Sequence, residues 1–139
     1  MRPDKTDYYI GIAKAVSARS TCLRRRYGAV IVKDDEIVST GYNGRPRGDS
    51  NCCDLGFCQR EKEGHKHNDG DYSSCGAVHA EMNAIISASR KEMIGSALYL
   101  YGEQDGKQIK AITCPICAAL IKNAGIARVV GSEEEYANA

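Results

Sequence analysis

The 139 residues suffice for one domain with a real core and are too few for two. Lys and Arg number 19 against 18 Asp and Glu, a balance that argues against a sequence-independent nucleic-acid binder and leaves room for a small phosphorylated substrate held by local arginines. No apolar signal run opens the chain and no window is long enough to cross a bilayer, so its seven cysteines point to metal ligation in a reducing cytoplasm and not to disulfides.

Residues 4–20 carry Tyr8, Ile12, Ala15 and Val16 at helical spacing, which predicts a first amphipathic helix. Cys22 follows, then Arg24-Arg25-Arg26, a cluster that reads as solvated surface. Because a strand starts directly after it, one member is also placed to face a bound phosphate. Residues 28–32 and 36–40 are β-branched runs joined by Lys33-Asp34-Asp35, a hairpin signal. The second run enters Gly41-Tyr42-Asn43-Gly44-Arg45-Pro46-Arg47-Gly48. This is either a turn-rich connection or a nucleotide phosphate-and-sugar loop, with Asn43 as the hydrogen-bonding side chain and arginine as counter-charge.

Residues 49–75 lack periodicity and hold Cys52, Cys53, Cys58, His65, His67 and Cys75. They read as an irregular insertion within a single domain spanning 1–139, either carrying a second metal or metal-free with reduced thiols. Residues 77–93 predict a central helix that buries Val78, Met82, Ile85, Ile86 and Met93. A third strand over 97–101 and a polar turn over 102–107 follow. Residues 108–113 have some strand character and lead to Cys114-Pro115-Ile116-Cys117. Pro115 suits the first turn of a third helix over 115–123, which Gly125 closes. Residues 126–130 predict a fourth strand, and the acidic Glu133-Glu134-Glu135 a frayed or lightly packed tail. Strands alternating with helices imply an α/β layered sheet, with right-handed crossovers joining parallel strands.

The chemistry concentrates in His79, Glu81, Cys114 and Cys117. Mid-helix, residues two apart point in nearly opposite directions, so His79 and Glu81 share a site only at a helix mouth. One His with two Cys, the latter a helical turn apart, makes a three-ligand zinc set with a fourth position open. Glu81 then stands beside that opening as a non-ligand acid and base. A closed, purely structural zinc module, completed by a residue such as Cys75, is the alternative from another class.

On these residues the chain resembles the deoxycytidylate deaminases of the zinc-dependent cytidine and deoxycytidylate deaminase superfamily. The likeness covers about 22–130. It rests on Tyr27-Gly28-Ala29-Val30-Ile31-Val32, the loop from Ser39 to Gly48, His79-Ala80-Glu81-Met82-Asn83-Ala84-Ile85-Ile86, Cys114-Pro115-Ile116-Cys117 and Asn123-Ala124-Gly125-Ile126. The resemblance implies a three-layer α/β/α fold with a mixed sheet of four to five strands and catalytic zinc held by His79, Cys114 and Cys117. It also implies hydrolytic deamination of dCMP to dUMP and ammonia with Glu81 as proton carrier, supplying thymidylate synthesis. Another cytosine nucleotide or nucleoside is the alternative substrate. Asn43, Arg45, Arg90 and Ala80 are the expected substrate contacts, Arg90 towards the phosphate near the end of the zinc-bearing helix. The resemblance further implies a second, structural zinc on Cys22, Cys52, His65 and His67, and a homo-oligomer, a hexamer by preference, with dCTP and dTTP as effectors. No nucleic acid and no membrane is expected as a partner. The chain departs from relatives at Thr113, where many have proline, at Ser87, where some have an aromatic, and in an expected lack of the fifth strand and last helix of larger relatives.

Overall fold

In the computed structural model, residues 1–51, 56, 76–131 and 135–137 are described. The elements are α1 (Lys5–Ser17), β1 (Arg26–Lys33), β2 (Glu36–Tyr42), α2 (Ala80–Ile86), α3 (Arg90–Met93), β3 (Ala97–Gln104), β4 (Lys107–Ile109), α4 (Pro115–Ala124), β5 (Arg128–Val130) and β6 (Glu135–Ala137). Alternation along three strands creates the layers. Ala29, Ile31, Leu98, Leu100 and Val129 bury one face of the sheet, together with Ala80, Ala84, Met93, Ile121 and Ala124 from the helices over it. Val30, Val32, Tyr99, Tyr101 and Val130 bury the other face, with Tyr9 and Ala13 of α1. The result is an α/β/α sandwich, as the resemblance implies.

The sheet is mixed. Its main path runs β2-β1-β3-β5-β6, five strands, with the short β4 paired to β3. β3 and β5 are parallel and the other pairs antiparallel. Lys33 pairs with Glu36, so the first hairpin turns on Asp34 and Asp35, both at positive φ (52° and 62°). Gln104 pairs with Lys107 across Asp105-Gly106, a second two-residue turn inside the segment read as a polar turn. Glu135, the one described residue of the acidic tail expected to be frayed or lightly packed, opens β6, which pairs with β5 and supplies a fifth strand on the main path.

Three expectations are corrected. The buried stripe of α1 is Tyr9, Ala13 and Ser17, one position off the predicted one, and Tyr8 is 51% exposed. The cause lies in β1, where a Cβ on Gly28 would collide with the Ala13 carbonyl oxygen and sit 2.7 Å from Ser17 N, so α1 packs backbone-close along that line. The helix predicted over 77–93 is two helices. Ser89 caps α3, receiving the Glu92 N–H at 3.3 Å while the Glu92 carboxylate accepts from the Ser89 N–H at 3.2 Å. That reciprocal box starts a new helix where periodicity alone continues the old one. Finally, Ile86, expected inside, is 75% exposed, because α2 approaches the sheet through Ala80 and Ala84.

Candidate active site

Both halves of the site sit at helix N-termini. His79 is the N-cap of α2, with extended backbone (φ −72°, ψ 156°), so it lies outside the helical turn and its ring reaches over the helix mouth. This removes the angular conflict between His79 and Glu81. Cys114 is the N-cap of α4, followed by Pro115 at the first helical position, and its Sγ accepts the Cys117 N–H at 3.4 Å. His79 Nδ1 lies 3.2 Å from Cys117 Sγ and 3.4 Å from Cys114 Sγ. All three ligand atoms fall within 4.8 Å of one another.

The donor set fits zinc. Tetrahedral coordination at ordinary Zn–N and Zn–S lengths requires N···S separations of about 3.5 Å, near those observed. Burial holds the His79 pKa below its ordinary value, which keeps a nitrogen lone pair available. The Cys117 thiol is pushed far up, first by burial and then by the neighbouring Glu81 charge. Glu81 is 5% exposed, and burial raises its pKa against the opposing pull of its own backbone N–H and the Cys117 thiol. A buried thiol and a buried carboxyl, each disfavoured as an anion by desolvation, mark a place where a divalent cation is stabilised.

The glycine loop is fastened to this centre. Gly44 N–H donates to Val78 O at 3.1 Å and Val78 N–H donates to Gly44 O at 2.7 Å, immediately before His79. Asn83 Nδ2 donates to Tyr42 O at 2.8 Å, and Ser39 Oγ to Ala84 O at 2.7 Å. A Cβ on Gly41 would stand 2.9 Å from Asn83 C and closer still to Ala80 O and Ala84 N, so only glycine lets α2 lie this near β2. The sequence reading missed that role, although a glycine ending the β-branched run was its signal.

Other expected residues fall as follows. Asn43 is buried, its Oδ1 accepting from Tyr27 N–H (2.8 Å) and Ser20 Oγ (2.6 Å) while its Nδ2 donates to Arg25 O (3.0 Å). Arg45 has a 27% exposed side chain and pairs loosely with Asp49 at 3.9 Å; its Nε is buried with no hydrogen-bond partner. Ala80, fully buried, opens α2. Arg90 is exposed and opens the separate helix α3, not the end of the zinc-bearing one. Of the basic cluster, Arg25 Nε donates to Gln104 Oε1 at 2.9 Å. Cys22 is half-buried with a free thiol, whereas Cys52, Cys53, Cys58, His65, His67 and Cys75 lie outside the described residues.

The family described as the cytidine and deoxycytidylate deaminase zinc-binding region matches residues 3–133. The deoxycytidylate deaminase of Mycobacterium phage D29 is 42% identical over 137 residues, covering 96% of this chain and 98% of that one. The deoxycytidylate deaminase of Saccharomyces cerevisiae is 36% identical over 96% of this chain, which spans only 39% of the yeast protein. The crystal structure of the dCMP deaminase from cyanophage S-TIM5 in complex with dCMP and dUMP superposes with a TM-score of 0.64 at 28% identity, covering 93% of this chain and 81% of that one. With the fold, the three converging ligands and this full-length match in agreement, the chain belongs to the zinc-dependent cytidine and deoxycytidylate deaminase family.

Proposed function

We propose that the protein hydrolyses dCMP to dUMP and ammonia. The observation that carries this is the meeting of His79 Nδ1, Cys114 Sγ and Cys117 Sγ at two helix mouths, with the buried Glu81 carboxyl beside Cys117. His79, Cys114 and Cys117 would hold the zinc, which when bound lowers the pKa of water towards neutrality and so supplies a nucleophile. Glu81, its pKa raised by burial, is suited to carry protons. It takes one from the attacking water as the C4–O bond forms and delivers it to ring N3. It then carries the remaining hydroxyl proton to the exocyclic nitrogen, which leaves as ammonia when the C4–N bond breaks.

Substrate contacts belong to the same reading. Asn43 spends one amide hydrogen on Arg25 O and keeps the second for a sugar hydroxyl. The buried Nε of Arg45, without a hydrogen-bond partner among the described residues, supports a phosphate role. Arg90 and the main chain at Ala80 complete the set. The test is ammonia release across cytosine and adenine nucleosides, monophosphates and triphosphates. dCMP is expected to be turned over fastest; preference for an adenine substrate, or no release at all, overturns the proposal.

The single-domain reading of 1–139 is supported by the one sheet that the described elements share. The homo-oligomer is supported by α4, where Ile116 is 66% exposed and Leu120 joins it on the same apolar face. Hexameric assembly, dCTP and dTTP effectors and the second zinc rest on the resemblance alone. A cytoplasmic setting agrees with thiols that serve as ligands. Among the described residues no helix is long and apolar enough to cross a membrane.

A further inference from the structure

Ser20 lies between α1 and β1, two residues before Cys22, and is 6% exposed. Its hydroxyl donates to Asn43 Oδ1 at 2.6 Å, its oxygen also lies 2.9 Å from Asn43 O, and it accepts the Cys22 N–H at 3.3 Å. Asn43 Oδ1 thus faces two donors, Ser20 Oγ and Tyr27 N–H, while Nδ2 faces a carbonyl, Arg25 O. The Tyr27 N–H and the Arg25 carbonyl fix the orientation of the carboxamide, because a flip would set N–H₂ against an N–H and the amide oxygen against a carbonyl, and the Ser20 hydroxyl adds a second bond to Oδ1.

We propose that Ser20 is a positioning residue for the nucleotide sugar: it fixes the Asn43 carboxamide so that the remaining amide hydrogen is presented to a sugar hydroxyl. The inference rests on the reading of Asn43 as a sugar contact. Without the Ser20 hydroxyl, one bond on each side (Tyr27 N–H to Oδ1, Nδ2 to Arg25 O) holds the amide, which loses the shortest of its three restraints. Among the described residues the loop meets the metal-bearing segment through the Gly44–Val78 and Tyr42–Asn83 hydrogen bonds, and neither involves Ser20. Binding of the sugar therefore weakens while the chemical step is spared.

The experiment compares Ser20→Ala, Ser20→Thr and Asn43→Ala on dCMP and on 2′,3′-dideoxycytidine monophosphate, which lacks the hydroxyl, with zinc content and melting temperature recorded for each. Ser20→Ala is expected to raise KM for dCMP about three- to tenfold, the range of one neutral hydrogen bond, with kcat within about twofold. KM for the dideoxy substrate should not change. Ser20→Thr, which keeps a hydroxyl, should restore the dCMP value, and stands as the test should the alanine variant fail to fold: a threonine variant that folds but discriminates against dCMP overturns the proposal. An alanine variant that loses equally on both substrates, or on kcat alone, does so as well. If Asn43→Ala also fails to distinguish the two substrates, it is the sugar role of Asn43 that is wrong. If Asn43→Ala distinguishes them and Ser20→Ala does not, Ser20 alone is misassigned.

Discussion

Replacing Gly41 with alanine tests how the site is held together, because it changes no residue that meets substrate or metal. The added Cβ would lie 2.9 Å from Asn83 C and nearer still to Ala80 O and Ala84 N, all main-chain atoms of α2. Restoring an ordinary carbon contact of about 3.5 Å moves the helix outward by at least about half an ångström. Overpacking of this kind costs about 1–3 kcal/mol, which for a chain of this size lowers the melting temperature by about 3–12 °C. The same displacement shifts Glu81, which α2 carries, relative to Cys114 and Cys117 at the start of α4. Since a shift of about 1 Å lowers rates about a hundredfold, kcat/KM for dCMP should fall about ten- to a hundredfold. Gly11→Ala, in α1 with nothing near its missing Cβ, is the control, expected to leave activity intact and stability equal or slightly higher. Thermal melts, zinc per chain and ammonia release measure the effect. A Gly41→Ala protein melting within about 1 °C of the parent, with parental turnover, would show that the close approach of β2 and α2 does not set the site.

Other expectations follow from single groups. Glu81→Gln should keep its zinc and lose at least about a hundredfold in kcat; more than a tenth of parental turnover would refute the proton-carrier role. Arg45→Ala and Arg90→Ala should each raise KM for dCMP about ten- to a hundredfold while leaving deoxycytidine unchanged, since a charge-assisted bond to phosphate is lost. Equal loss on both substrates would place that arginine in the fold instead. Metal analysis should find two zinc per chain, falling to one in Cys22→Ser, and a parent with a single zinc removes the structural site from consideration. Tyr9, whose pKa is raised from 10.0 to about 12 chiefly by its hydrogen bond to Asp35, gives a stability term that is complete below pH 10 and fades as pH climbs towards 12. Tyr9→Phe should flatten the fall of melting temperature across that window, and an unchanged slope would rule the pair out as its cause.

The sheet was readable because strand periodicity is short and local. Val30, Val32, Tyr99 and Tyr101 alternate with Ala29, Ile31, Leu98 and Leu100, and the pattern alone names both faces. Helix phase was less legible, since it depends on a residue elsewhere in the chain. Tyr8, Ile12 and Val16 form the larger apolar stripe, yet Gly28 on the neighbouring strand draws Ala13 and Ser17 inward. Ile86 is turned outward on α2 for the same reason, with Gly41 and Ala84 replacing Gly28 and Ala13. The break after α2 was legible and missed: Ser89 with Glu92 three residues on is a helix start written inside an otherwise continuous apolar pattern. Pairing the two cysteines with His79, 35 residues before Cys114, rested on ligand chemistry together with the resemblance to the deaminases. The Ser20–Asn43 bond, 23 residues apart, had no local signal to read.

Placing ligands at N-cap positions has a mechanical consequence. An N-cap residue keeps extended backbone, so its side chain is aimed by the segment that precedes it and not by the helix that follows. For His79 that segment is Val78, bonded on both its N–H and its C=O to Gly44 of the glycine loop. Any change that alters the path of the loop is therefore transmitted to the histidine across one pair of main-chain hydrogen bonds. Glu81, the second residue of α2, is aimed by the helix and hence by the contact of Ala80 and Ala84 with Gly41. The ligand and the proton carrier thus answer to two different neighbours on the same loop-bearing strand. Arg90 answers to neither, because its helix begins afresh at the Ser89 cap. Substitutions that break the Gly44–Val78 pair should disturb zinc and nucleotide together, those at Gly41 should displace Glu81 most, and those at Arg90 should touch the nucleotide alone.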